Sequence, residues 1–432
     1  MIRHILQKIS PRPSLSKRGD SSLCQEKEYQ VGSERHLRGS EKNESYRWVI
    51  LVLVYLSILA FTLIFQSIPP LLPFIFSELP LTFAQSGLLM SLFSLPGIFV
   101  SLLGGFAADR YGMRYLGAGC FLLMIGGTLL VGLGMNLQIL WFGRIIAGIG
   151  GFTLSVFLPK LLSQWFQHRE LGLAMGIYNT GVPLGSVICF GLFGKMGSLW
   201  GWRIPILLTG IYLLFTFILF LILYRLPPSR EIEEKTPILI SKSLKEMGWP
   251  IWFVGFSWLW FNAAFSSFAT FAPNLFLQKD YTIEQSGLLI GIPLLGSLCF
   301  SAPIGYLVDR FKHQEWFIGM GAIGLTVLAL SFNFSSSFLL LVILMGIFSA
   351  TIPAPIYSLP PEMLKTKNVG LGFGVISTCS SIGLFAAPYL VGKARDLTGS
   401  YNWSFILISV FFFLITVFIF FTRRSQSRIK KF

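Results

Sequence analysis

Charge is what this sequence has least of. Only 12% of its 432 residues are Asp, Glu, Lys or Arg, while 53% are hydrophobic; an ordinary soluble domain carries about 25% charged residues. A soluble fold of this length could not hide so much apolar side chain, so lipid must solvate much of the chain. Acids are the scarcest charge. None of the 19 Asp and Glu lies inside a long apolar run, which excludes a carboxylate proton relay within a membrane. The four histidines (His4, His36, His168, His313) fall in polar stretches, so a histidine relay is excluded too. Of the five cysteines, Cys120, Cys189, Cys299 and Cys379 lie in apolar runs, Cys24 does not, and no pair has C-x-x-C or zinc-type spacing. They read as small core residues, with no metal site. No nucleophile–base pair, metal cluster or phosphate loop marks an enzyme, and no cofactor is expected.

The net charge of +15 would suit nucleic acid, but the basic residues sit in short clusters between apolar runs. Charge flanks membrane spans in that way, whereas a nucleic-acid surface concentrates it on one face. Residues 1–47 are polar and of mixed charge, without an apolar segment ending in a cleavage site. They read as a disordered cytoplasmic tail, unless the true start lies further downstream.

A helix crossing the bilayer needs about 20 apolar residues. Such runs fall at 48–68, 84–108, 115–135, 138–158, 171–194 and 203–225, and again at 251–272, 286–308, 316–333, 337–358, 369–392 and 403–421. The expected fold is therefore an all-α membrane protein of twelve transmembrane helices in two six-helix bundles, 48–226 and 249–421. Pro227, Pro228 and a charge run from Arg230 to Lys235 mark 227–248 as a cytoplasmic linker, and 422–432 is a basic tail. Loops after the even-numbered spans carry Arg110, Arg114, Lys160, Arg169, the cations from Arg225 to Lys245, Arg310, Lys312, Lys365 and Lys367. Those after the odd-numbered spans carry only Lys195, Arg203, Lys279, Lys393 and Arg395. The asymmetry predicts both termini in the cytoplasm of a plasma (inner) membrane.

The two halves repeat. Gln85-Ser-Gly-Leu-Leu89 recurs as Gln285-Ser-Gly-Leu-Leu289, and the same offset of 200 carries Gly105, Asp109 and Arg110 onto Gly305, Asp309 and Arg310. From about residue 171 an offset of 198 carries Gly172, Gly176, Thr180, Gly185 and Gly194 onto Gly370, Gly374, Thr378, Gly383 and Gly392. Six helices separate equivalent spans, so the repeat is parallel about an axis along the membrane normal, as transporters use for alternating access.

Gly105-Phe-Ala-Ala-Asp109-Arg110-Tyr-Gly112-Met-Arg114 closes the second span. It resembles the G-x-x-x-D-R-x-G-x-R/K signature of the major facilitator superfamily. Arg144-Ile-Ile-Ala-Gly148-Ile-Gly150, Asn179-Thr-Gly181-Val-Pro183-Leu-Gly185, Pro360-Pro361-Glu362 and Gly383…Pro388…Gly392…Asp396 also resemble elements of that family. Trp165-Phe166…Arg169-Glu170 followed by span 5 looks most like its cyanate and nitrate permease-like branches. The resemblance covers about 48–421. It implies a secondary active or facilitative transporter with a monomeric functional unit, and a latch at Asp109 against the start of span 11. The second copy, at Gly305, Asp309 and Arg310, has Lys312 where the turn glycine should stand, so its latch is expected to be degenerate.

Gly148, Gly172/Gly176, Gly181/Gly185 with Pro183, and Gly370/Gly374 read as helix-packing positions, where small residues let backbones approach. Arg144 is the single cation inside a span, roughly 9 Å into a core about 30 Å thick. Three readings stay open for it: it selects an anionic substrate, it snorkels to the surface, or it is structural. At the offset of 198 its counterpart is Val342. Gln66, Asn179, Asn262 and Tyr357 are the neutral polar candidates for a substrate site, and Trp258 and Trp260 add aromatic surface facing either the core or lipid. The expected substrate is a small anion, with a coupling proton or counter-ion possible and no nucleic-acid partner. The rivals are a proton-coupled multidrug-type efflux transporter and a non-transporting receptor or assembly protein on the same scaffold.

Overall fold

The computed structural model describes residues 46–101, 113–166, 171–225, 240–311, 313–335, 337–364 and 366–429. Ile50–Phe432 pack as one unit; of the preceding unit, Met1–Val49, residues 46–49 are described and are helical. Among the described residues every regular element is a helix. In chain order they are α1 (Tyr46–Glu78), α2 (Phe83–Ser101), α3 (Met113–Leu133), α4 (Leu137–Trp165), α5 (Leu171–Ile188, continued to Trp200) and α6 (Arg203–Leu223). The second half comprises α7 (Ile240–Leu277), α8 (Ile283–Phe311), α9 (Gln314–Ser331), α10 (Phe338–Ala350, continued by Pro353–Met363), α11 (Thr366–Thr398) and α12 (Tyr401–Ile429).

Eleven of these are long and apolar enough to cross a membrane on composition alone. The exception is α7. It is uncharged from Trp249 to Leu277, but its Trp, Ser and Asn residues dilute the hydropathy. The result is the expected twelve-helix fold of two pseudo-symmetric bundles. Helix extends into three segments that lie outside the expected spans. Part of the linker is helical, from Ile240 until Gly248 turns the chain with φ 69°. The basic tail is helical to Ile429 as a continuation of α12. Lys160 lies within α4, which runs on to Trp165, and not in a loop.

Proline sets the breaks. α1 leaves the α-helix at 66–68 before a 3₁₀ turn, Pro69–Leu71. Neither Pro69 nor Pro70 has an N–H, so the carbonyls of Phe65 and Gln66, four residues earlier, lose their helical donors. α2 is likewise interrupted at 92–94, just ahead of Pro96. The equivalent helices α7 and α8 are helical throughout from Trp249 to Leu277 and from Ile283 to Phe311.

Within each half the helices cross where side chains are smallest. A Cβ on Gly148 of α4 would overlap the carbonyl oxygen of Phe93 in α2. A Cβ on its repeat partner Gly346 of α10 would lie 3.0 Å from the Cα of Gly296 in α8. Gly181 and Gly185 of α5 face Ile58 and Thr62 of α1. Two expected packing positions are corrected: a Cβ on Gly176 or on Gly370 would meet nothing within 4 Å. Gly374 is half-buried, and the surroundings of Gly172 lie outside the described side chains.

Helices alternate in direction, so loops after odd-numbered helices share one face, here the far face, opposite the chain ends. There the halves are tightly joined. Gly87 of α2 lies against the Pro388 carbonyl of α11, Gly392 of α11 against the Phe83 carbonyl, and Gly287 of α8 against the Phe190 carbonyl of α5. Gly176 of α5 and Gly370 of α11 lie toward the opposite end of the same helices.

Candidate functional site

Arg144 projects from α4 into the broken part of the first half. It is 1% exposed, so snorkelling is excluded. Its Nε donates to the Leu89 carbonyl at 3.0 Å, Nη1 to Ile64 at 2.8 Å and Nη2 to Phe65 at 3.2 Å. The Phe65 carbonyl is one of the two that the prolines orphan. Nη2 also lies 3.7 Å from Met90 Sδ, and the Phe93 ring faces the guanidinium at 4.6 Å. The planar fork thus ties the break in α1 to α2, which a point-charge ammonium could not do. The second half explains its own lack of a cation. Neither α7 nor α8 is interrupted as α1 and α2 are, and Val342 fills the equivalent position as a fully buried apolar side chain.

Every partner of the guanidinium named above is neutral. They engage four of its five N–H donors and leave its charge uncompensated. Direct bidentate capture of a substrate by Arg144, one form of the anion reading, does not fit a guanidinium that is wholly buried and tied to three main-chain oxygens. Which main-chain carbonyls lie beside the arginine is not written in the sequence. Pro69 marks the Phe65 carbonyl as one without a helical donor, but which arginine would meet it is a tertiary fact.

The neutral candidates are dispersed. Gln66 sits at the α1 break with a buried Oε1 that has no partner. Asn179 is exposed on α5, four residues before Pro183, which removes the donor for its carbonyl. The Asn262 amide donates to the Trp258 carbonyl of its own helix at 2.8 Å. Tyr357 is 43% exposed and packs edge-on against Trp258 at 5.3 Å and beside Phe373 at 6.1 Å. Trp258 is buried and stacks on Phe261, and half-buried Trp260 packs on Phe411. In the first half the Thr180 hydroxyl approaches the Tyr55 hydroxyl at 3.4 Å, a pair the sequence did not single out.

Gly105, Asp109, Arg110 and Gly112 lie outside the described residues. Of their neighbours, Arg114 donates to the Leu221 carbonyl of α6 at 3.3 Å. Gly305 and Asp309 are on the last turns of α8 with their side-chain surroundings outside the description, and Arg310 is exposed there.

A helical membrane protein of two repeated halves, clamped at one face, is built as a solute transporter working by alternating access. The profile of the Major Facilitator Superfamily matches residues 54–277 and 259–432, and the chain belongs to that superfamily. It is similar to a "Hexuronate transporter" of Bacillus subtilis, 24% identical with 78% of this chain and 85% of that protein covered. It is also similar to a "Probable nitrate transporter NarT" of Staphylococcus epidermidis, 23% identical over 84% of this chain and 92% of that one. The nitrate branch was expected from the span 4–5 region. In fold it matches a bacterial homolog of the human lysosomal transporter Spinster in an inward-facing, occupied conformation. The TM-score is 0.72 at 16% identity, over 88% of this chain and 97% of that one.

Proposed function

We propose that this transporter carries a small organic or inorganic anion, from a plasma (inner) membrane with both termini in the cytoplasm. The observation that supports an anion is the uncompensated charge of Arg144, buried among neutral carbonyls with no acidic residue in any described span interior. Carbonyls quench hydrogen-bonding capacity, while the net field persists. At an effective dielectric of about 20, an anion about 8 Å away gains about 2 kcal/mol. Asn179 and Tyr357 then supply hydrogen bonds, since exposed polar groups at mid-span are costly against lipid and cheap in a water-filled cavity. The hexuronate and nitrate transporters among its relatives carry the same sign of charge. The division between the moving halves falls in 227–248, and Asp109 is the proposed latch of the terminal face.

The test is thermal shift and proteoliposome flux with the purified protein against nitrate, a hexuronate, neutral hexoses and a lipophilic cation. Anions should stabilise the protein and move across, and the others should do neither. A cation or neutral sugar carried as fast as the best anion would overturn the reading.

Orientation has its own test. With the native cysteines replaced, a cysteine at exposed Ser198, on the far face, should react with an impermeant maleimide in intact cells. One at exposed Ser163, near the end of α4, should not. The reverse pattern would invert the topology.

A further inference from the structure

The first turn of α2 has four N–H groups with no helical acceptor. Two are settled locally by a capping box. Thr82 Oγ1 accepts from the Gln85 N–H at 3.1 Å, and the Thr82 N–H donates to Gln85 Oε1 at 2.9 Å. The remaining two point across the seam between the halves. The Phe83 N–H donates to Asp396 Oδ1 at 2.9 Å and the Ala84 N–H to Oδ2 at 2.7 Å. Asp396 belongs to the last turns of α11, in the other half of the molecule. One carboxylate therefore completes the helix cap with both oxygens and also meets the positive end of the α2 dipole.

The surroundings fit a clamp that opens. Gly392, one turn before Asp396, brings α11 onto the Phe83 carbonyl, and Gly87 brings α2 onto Pro388. Arg395 lies over the rings of Phe83 at 5.0 Å and Tyr401 at 4.6 Å. The other seam, α5 against α8, repeats the close glycine contact at Gly287. It also repeats the capping box, with Thr282 and Gln285. It does not repeat the acid, because the offset of 198 puts Ser198 at the place of Asp396. A cap needed only for the stability of each half would be supplied from within that half. This one spans the two.

We propose that Asp396 is the gating residue of the far face, holding α2 and α11 together when that face is closed and releasing two N–H groups to water when it opens. The inference rests on alternating access and is independent of which solute is carried.

The test needs no substrate. Ser91 lies one turn beyond Gly87 on the same face of α2, and it is wholly buried. In purified full-length protein in nanodiscs, with native cysteines replaced, Ser91→Cys should react slowly with a water-soluble maleimide. Adding Asp396→Ala should speed the reaction roughly tenfold, Asp396→Asn should fall between, and Asp396→Glu should restore most of the protection. Asp396→Asn keeps the test usable should the alanine variant fold poorly. An unchanged rate in the Asn and Ala variants, or a Glu variant as fast as Ala, would overturn the proposal. Neither result bears on the anion reading, which is tested by flux.

Discussion

Arg144→Met should abolish transport and cost the protein much of its thermal stability. The Phe65 carbonyl would be left with no donor, since position 69 is proline, and the Leu89 carbonyl would lose its guanidinium partner. Ile64 keeps the Ser67 hydroxyl at 2.8 Å. An unpaired buried carbonyl costs about 1–3 kcal/mol, so a loss of about 2–5 kcal/mol is expected against a total of about 5–15 kcal/mol. Relief from burying the charge offsets part of this. Arg144→Lys separates the two roles. It keeps the positive charge and cannot reach carbonyls on two helices at once, so anion flux should persist at a reduced rate with a lowered melting temperature. Arg144→Gln keeps some hydrogen bonding and removes the field; flux of anions should nearly vanish. Wild-type anion flux in a Gln variant of wild-type stability would refute both roles together.

Gly148→Val should be the other severe substitution. The added carbons have only the backbone of Phe93 to push against, and a backbone at a helix crossing cannot rotate aside as a side chain can. Moving α2 away from α4 would also draw the Phe93 ring and Leu89 carbonyl off Arg144. Overpacking of this kind costs about 1–3 kcal/mol or more, and thermal unfolding of the purified variant should show it. Gly176→Ala and Gly370→Ala serve as controls, with nothing within 4 Å of the new Cβ. At such helical positions alanine should be neutral or stabilising, by about 0.5–1 kcal/mol. Equal damage at all three glycines would mean that the α2–α4 crossing is not the tight point.

The contrast between these glycines shows where sequence reasoning stopped. Gly148, Gly176 and Gly370 are alike in the sequence, each a small residue spaced from another along an apolar run. Only the first lies where two helix axes come closest. Small-residue spacing marks positions that permit close approach. Whether a neighbour uses the permission depends on the crossing point, which Gly148 occupies between two helices of one half and Gly176 and Gly370 do not.

The twelve spans, the parallel repeat and the isolation of Arg144 were determined by the sequence itself. Each is a one-dimensional consequence of lipid as solvent: apolar length, charge at loops, and the cost of every internal ion. The direction of the arginine was decided only by the tertiary structure. A cation in the membrane must be paid for, but its partners here are main-chain carbonyls 55, 79 and 80 residues away in the chain, one of them freed by a proline. Asp396 likewise reads as one more polar residue at a helix end until the fold carries it to α2, 312 and 313 residues from the N–H groups it caps. Main-chain donors and acceptors carry no letter in the sequence, so contacts made to them become visible only when the chain is folded.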